Sequence, residues 1–204
     1  AAVMAVHGDE KGLVLPPKIS PVQVVIIPVV FKEAQREKII EALKKDVENL
    51  KKKGFRVAFD DGDDRPGAKY YRWEKKGVPL RIEVGPKEVE AGIRTLARRD
   101  TGEKIQVRAD GLEKEIISLF KSIEENLRNK AQERFDSNLY IAKDLKQLRK
   151  LVGKGIVTAG WCQTDECAKP IDELGTILSM NDEPNKCVIC GADHAKTIKV
   201  AKTY

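Results

Sequence analysis

The period of the hydrophobic positions changes several times along the chain, and each change marks an element. Val24-Val25-Ile26-Ile27-Pro28-Val29 is apolar without alternation, which predicts a strand covered on both faces. From Glu33 to Lys53 the pattern turns helical: Ile39, Ile40, Leu43, Val47 and Leu50 share one face, and Lys and Glu fill the other. Lys51-Lys52-Lys53 suits the negative end of that helix, and Gly54 suits its stop. Phe55 to Phe59 then alternates as a strand, completing a β-α-β unit. Asp60 to Gly67 is a loop, Ala68 to Lys76 a short helix ended by Gly77, and Val78 to Val84 a strand closed by Gly85-Pro86. Ile93–Arg99 and Lys104–Arg108 form a hairpin around Thr101-Gly102. Leu112 to Phe135 is a second long helix, with Ile116, Phe120, Ile123, Leu127 and Ala131 in register. Five strands and their helices predict an α/β domain over residues 21–135, a mixed five-stranded sheet layered with helices.

The flanks differ in texture. Ala1 to Val6 is apolar at once and predicts a buried strand entered midway, so the chain reads as lacking an N-terminal part. His7 to Gly12 is a polar turn, and Leu13-Val14-Leu15-Pro16-Pro17 with Pro21 reads as an extended linker. After Asp136 one helix, burying Leu145, Leu148 and Val152, precedes a strand at Ile156–Ala159. Residues 136–204 are expected to form a small α+β domain with too few apolar residues in regular elements to stand without a staple.

Composition narrows the function. The 204 residues are 41% hydrophobic and 34% charged, with no apolar run long enough for a spanning helix. The net charge of +6 is modest, but its placement is not: between Lys69 and Arg108 eleven Lys and Arg stand against six acids. Tyr70, Tyr71 and Trp73 lie inside that stretch, and rings among cations suit single-stranded bases. Trp73 is expected to be buried, leaving Tyr70 as the stacking candidate. Glu74 can accept the N1–H and N2–H₂ of a guanine, although a glutamate on a solvated helix more often pairs with a lysine. Neither a Gly-rich phosphate loop nor a nucleophile with its base stands out, and the chain has two histidines.

The four cysteines carry the sharpest motif: Cys162-x4-Cys167, nineteen residues, then Cys187-x2-Cys190-Gly191. Two close thiol pairs separated by a loop are what a tetrahedral Zn²⁺ needs, and four thiolates leave no open position, so the metal is structural. With no secretion signal in these residues, two disulfides are the weaker alternative. His194 could replace one cysteine but reads better as a surface residue.

Taken together, the motifs resemble one family. His7-Gly8-Asp9-Glu10-Lys11-Gly12-Leu13-Val14-Leu15-Pro16-Pro17, then Arg65-Pro66-Gly67-x-Lys69 with Trp73-Glu74-x-Lys76-Gly77-Val78-Pro79-Leu80-Arg81-Ile82-Glu83-Val84-Gly85-Pro86, the four cysteines and the terminal Lys202-Thr203-Tyr204 resemble prolyl-tRNA synthetases of the archaeal and eukaryotic type. The resemblance implies a class II aminoacyl-tRNA synthetase whose catalytic core lies largely before Ala1. Residues 1–20 would be a remnant of that core with a linker, 21–135 the anticodon-binding domain, and 136–204 the C-terminal zinc-binding domain. It further implies that Tyr70 stacks a base, that Glu74 and Arg81 read base edges of two adjacent guanines, and that Lys87 and Lys104 contact base or phosphate. His7 would belong to the proline pocket, and Tyr204 would turn toward the active site. Proline, ATP and Mg²⁺ would be used by the intact, cytoplasmic, homodimeric enzyme, with tRNA(Pro) as partner. This chain alone is expected to bind and not to catalyse. A free-standing zinc-containing RNA-binding module is the alternative, and a thiol redox enzyme built on Cys187-x2-Cys190 is a third reading that the second cysteine pair disfavours.

Overall fold

The computed structural model describes residues 1–30 and 35–203. They form two compact units, Ala1–Ala131 and Gln132–Tyr204. Among the described residues no helix is long and apolar enough to cross a membrane.

The first unit is built on a five-stranded sheet in the order β2-β1-β3-β4-β5. Its strands are β1 (Val24–Pro28), β2 (Val57–Phe59), β3 (Leu80–Val84), β4 (Ile93–Arg98) and β5 (Lys104–Arg108). β1 is parallel to β2 and β3, whereas β3, β4 and β5 pair antiparallel, so the sheet is mixed. All of β1 is buried, as an apolar run without alternation requires. Val24 and Ile26 pack beside Leu80, Ile82, Val84 and Leu96 under two helices, α2 (Arg36–Lys52) and α5 (Leu112–Ser137). Ile39, Leu43, Val47 and Leu50 form the buried stripe of α2; Leu112, Ile116 and Leu119 do the same for the first half of α5. The part of the expected helix at Glu33 lies outside the described residues. Val25 and Ile27 point to the other face and meet Val78, Tyr70 and Trp73 beneath α3 (Pro66–Lys75). That helix begins earlier than the sequence suggests because Pro66 sits in its first turn, where no backbone N–H is needed.

Three differences from expectation are instructive. Ala2–His7 is a short helix, α1, and none of its residues is buried, so the expected buried strand ahead of His7 is overturned. Three of its six residues are Ala or Met, good helix formers, and hydrophobicity over so short a run does not separate strand from helix. Second, α4 (Pro86–Ala91) follows β3 directly. Its signal was present: Pro86 in the first turn, and Glu88 returning its carboxylate to the Gly85 N–H at 3.0 Å. Third, residues 9–20 are packed rather than free: Leu13 and Leu15 donate backbone hydrogen bonds to Lys75 and Gly77, and Val14 is buried against Ile123 and Leu127.

Asp9 anchors this segment through a two-pronged ion pair with Arg99, at 2.6 and 2.7 Å. The guanidinium holds the Asp9 carboxyl down at about 2. A carboxyl lowered in the folded state stabilises fully above its unfolded value of about 3.9 and loses that contribution as pH falls through its folded value. Wild type should therefore melt above Asp9→Asn at neutral pH, and the two melting temperatures should converge as the pH approaches about 2. A gap that persists at that acidity would rule the pair out as its source.

The second unit has more regular structure than its sequence suggests. A four-stranded sheet runs in the order β6-β7-β9-β8: β6 (Leu139–Ile141), β7 (Ile156–Trp161), β8 (Thr176–Asn185) and β9 (Ala195–Ala201). With α6 (Leu145–Leu151) and α7 (Asp165–Asp172) it buries Leu148, Val152, Val157, Ile171, Ile198 and Val200. The hidden element is β8, whose ten residues are mostly exposed and whose pairing with β9 is interrupted twice by shifts of register.

Candidate nucleic-acid interface and metal centre

Sheet pleating sorts the first unit's polar residues. Leu80, Ile82 and Val84 face the core, so Arg81 and Glu83 face away from it. Thr95 and Ala97 of β4 lie opposite Glu83 and Arg81, and Gln106 and Lys104 of β5 lie opposite Thr95 and Ala97. α3 covers this side of the sheet over β1 and β2, whereas Lys104 and Gln106 of β5 stand exposed at its far edge. On the same side, at the carboxyl ends of parallel β1 and β3, lies a cavity of about 370 Å³ lined by Val29, Tyr70, Glu83, Lys87, Glu88 and Thr95. The chain leaves β1 toward β2 on one side and returns to β3 on the other, the topological position where α/β sheets hold ligands.

Tyr70, Arg81 and Lys104 come together here. The Arg81 guanidinium lies 4.3 Å from the centre of the Tyr70 ring, and the Lys104 ammonium 5.7 Å away. The ring is therefore already faced by a cation, and a base would stack on the guanidinium or displace it. Burial, reinforced by the Glu83 carboxylate, pushes the Tyr70 hydroxyl well above the usual phenol range. Glu74 sits on α3 and lines a second cavity of about 190 Å³ together with Arg81, Arg98 and Arg99. Its carboxylate pairs with Lys11 at 3.3 Å, and its main-chain oxygen accepts Arg99 Nε at 2.9 Å. Lys87 is exposed in the first turn of α4 and makes no ion pair among the described residues.

Trp73 is half-buried, and its Nε1–H donates to Asp60 at 2.6 Å. Burial opposes the charge on Asp60, but hydrogen bonds from Arg72 and Trp73 hold its carboxyl below the usual range. Asp60 and Glu83 escaped the sequence reading. For Glu83 a signal existed, since the spacing Arg81-x-Glu83 on a strand puts both side chains on one face.

In the second unit the four cysteines converge as their spacing predicts. All four Sγ atoms lie within 4.8 Å of one another, and none is in a disulfide. A Zn–S bond of about 2.3 Å in a tetrahedron sets sulfurs about 3.8 Å apart. The Cys162 and Cys190 sulfurs are 3.8 Å apart, so the donor set and its spacing fit a metal ion. His194 is exposed and outside the cluster. Gly191 takes φ +75°, the left-handed turn that closes the Cys187–Cys190 knuckle. Gly160 lets the knuckle approach β7, because a Cβ there would run into the Lys186 carbonyl. The Thr164 hydroxyl, 3.4 Å from Cys162 Sγ, holds that thiol down at about 6. Cys187 is lowered too: burial opposes this, but the Cys190 and Ile189 N–H groups outweigh it. Thr164 also acts downward on Cys167, but burial and the neighbouring sulfurs push that thiol up to about 12.

A mixed sheet with a cation-bearing face and a cavity at its switch point fits a domain that receives nucleic acid, and residues 23–119 match the family described as Anticodon binding domain. Over its whole length the chain is homologous to proline--tRNA ligases. It is 41% identical over 211 residues to that of Methanosarcina mazei, covering 100% of this chain and 44% of the relative. It is 42% identical over 198 residues to that of Methanothermobacter thermautotrophicus, covering 95% and 41%. With that of Thermococcus kodakarensis it shares 40% over 216 residues, covering 100% and 45%. The chain thus spans less than half the length of these relatives.

Proposed function

We propose that this chain is the tRNA-recognition part of a proline–tRNA ligase, which joins proline to tRNA(Pro) at the expense of ATP. The observation that carries the reading is the cluster on this sheet face: the relatives named for this activity align along the whole chain, and within the aligned anticodon binding domain Tyr70 and Arg81, both partly buried, meet the exposed Lys104 there. On this reading Arg81 and Glu74 read guanine edges, Tyr70 supports the stack, Lys104 assists, and Lys87 holds phosphate. Residues 21–135 are the anticodon-binding domain, 136–204 the zinc domain, and 1–20 belong with the catalytic part. His7 lines the proline pocket and Tyr204, outside the described residues, returns to it. Proline, ATP and Mg²⁺ are handled by the complete cytoplasmic homodimer, and no residue of this chain is assigned to ATP or Mg²⁺. Taken alone, the chain binds tRNA without charging it. Cys162, Cys167, Cys187 and Cys190 hold Zn²⁺, which supplies a cross-link between β7, α7 and the knuckle rather than a reactive site.

The test compares tRNA(Pro) with versions in which either anticodon guanine is replaced. Each replacement should weaken binding about tenfold or more, as the loss of a paired base edge does. Lys87→Ala should instead weaken all these RNAs alike and reduce the salt slope by about 0.7. Equal affinity for unrelated tRNAs would leave only general electrostatics and sink the reading.

A further inference from the structure

Glu83 is nearly buried, its side chain 11% exposed, yet it lies on the RNA-facing side of the sheet. Both of its oxygens are occupied by cations. Oε1 accepts Arg81 Nε at 2.9 Å and Nη2 at 2.8 Å, and Oε2 accepts Lys104 Nζ at 2.8 Å. Two of the cations that make this face basic are therefore already neutralised by one carboxylate. With Arg81 and Glu83 both mostly buried, their bond is stronger than an exposed ion pair and holds the guanidinium over the Tyr70 ring, 4.3 Å from its centre. Lys87, exposed beside the same cavity, has no such partner among the described residues.

We propose that Glu83 is a positioning residue that decides how this face meets RNA: by holding and neutralising Arg81 and Lys104 it keeps them from gripping any passing phosphate and reserves them for base edges. Phosphate contact without Glu83 would be sequence-blind, since backbone contacts carry affinity but no sequence information. The proposal rests on the reading of this face as the tRNA interface and assigns it a restraint that an excess of positive charge would not have suggested.

The experiment uses the full chain and two probes, a short oligouridylate and the tRNA(Pro) pair with intact or replaced guanines, titrated over a range of salt. Glu83→Gln keeps the side chain's size and removes its charge. It should steepen the dependence of log affinity on log salt for oligouridylate by up to about 1.4, two freed cations at about 0.7 each for a single strand. The preference for intact tRNA(Pro) should fall about tenfold. Adding Lys104→Gln to Glu83→Gln should take back about 0.7 of the slope, whereas Lys104→Gln in the otherwise unaltered chain should leave the slope unchanged. An unaltered slope in folded Glu83→Gln, or a fall of about 0.7 for Lys104→Gln alone, would overturn the proposal. The second arm remains decisive even where Glu83→Gln fails to fold. Loss of discrimination by wild type would instead defeat the anticodon reading, while the oligouridylate slopes would still report on Glu83.

Discussion

Stripping the metal from the cysteine cluster is expected to melt residues 132–204 well before residues 1–131. A unit of about 70 residues lies at the size where a hydrophobic core alone leaves little net stability. The buried residues of this one come from short elements, and one side of its sheet ends on the exposed, twice-shifted β8. The cysteines lie at the end of β7, in α7 and in the knuckle before β9, so an ion held by all four ties the middle of the unit's sequence to the segment that leads into its last strand. Structural zinc contributes about 10–16 kcal/mol in isolated finger peptides, and even part of that exceeds what such a core retains. A chelator should split the thermal transition in two, lowering the second unit's midpoint by more than about 10 °C, and zinc should restore it. Cys187→Ser should reproduce the effect without chelator, since Cys187 is the buried member of the knuckle. One unchanged transition, with far less than one zinc per chain, would show that the thiols pack without an ion.

The fold of the first unit was legible because each strand announced its surroundings. The unbroken apolar run of β1 meant cover on both faces, and both faces are covered. The cysteine centre was legible for a similar reason, since ligand spacing is a local property. The chemistry of the basic stretch was not. Its excess of cations suggested a surface turned toward RNA, but most of its arginines are held by carboxylates within the domain: Arg72 by Asp60 and Asp64, Arg94 by Asp46, Arg98 by Asp100, Arg99 by Asp9. Of those acids only Asp100 lies inside the stretch. A local charge count cannot see a partner brought in by tertiary pairing, and Asp9 reaches Arg99 across ninety positions. Pairing rather than pattern also gives β8 its place: nothing in Thr176–Asn185 alternates, and its pairing with β9, the next strand in the chain, makes it a strand.

Glu74→Ala should collapse the preference for guanine in the anticodon while leaving general tRNA affinity nearly intact. Glu74 is held from behind, because the buried Arg99 grips its main-chain oxygen and is itself locked by Asp9. Among the described residues its carboxylate is occupied only by Lys11, whose side chain is 64% exposed, and such a surface pair contributes at most about 1 kcal/mol. A guanine presenting two donors can displace that lysine at little cost. Truncation to alanine then leaves those donors unpaired in a partly closed cavity, a loss of about 1–3 kcal/mol, or roughly 10–100-fold, for the cognate RNA. Adenine offers an acceptor where guanine offers N1–H, so the carboxylate repels it, and Glu74→Ala should leave the adenine-substituted RNA unchanged or tighter. Glu74→Gln, which keeps one acceptor, should fall between the two. Lys11→Ala frees the carboxylate and should not weaken the cognate complex. Equal losses for guanine and adenine would mean that Glu74 serves the helix through Lys11 and reads no base.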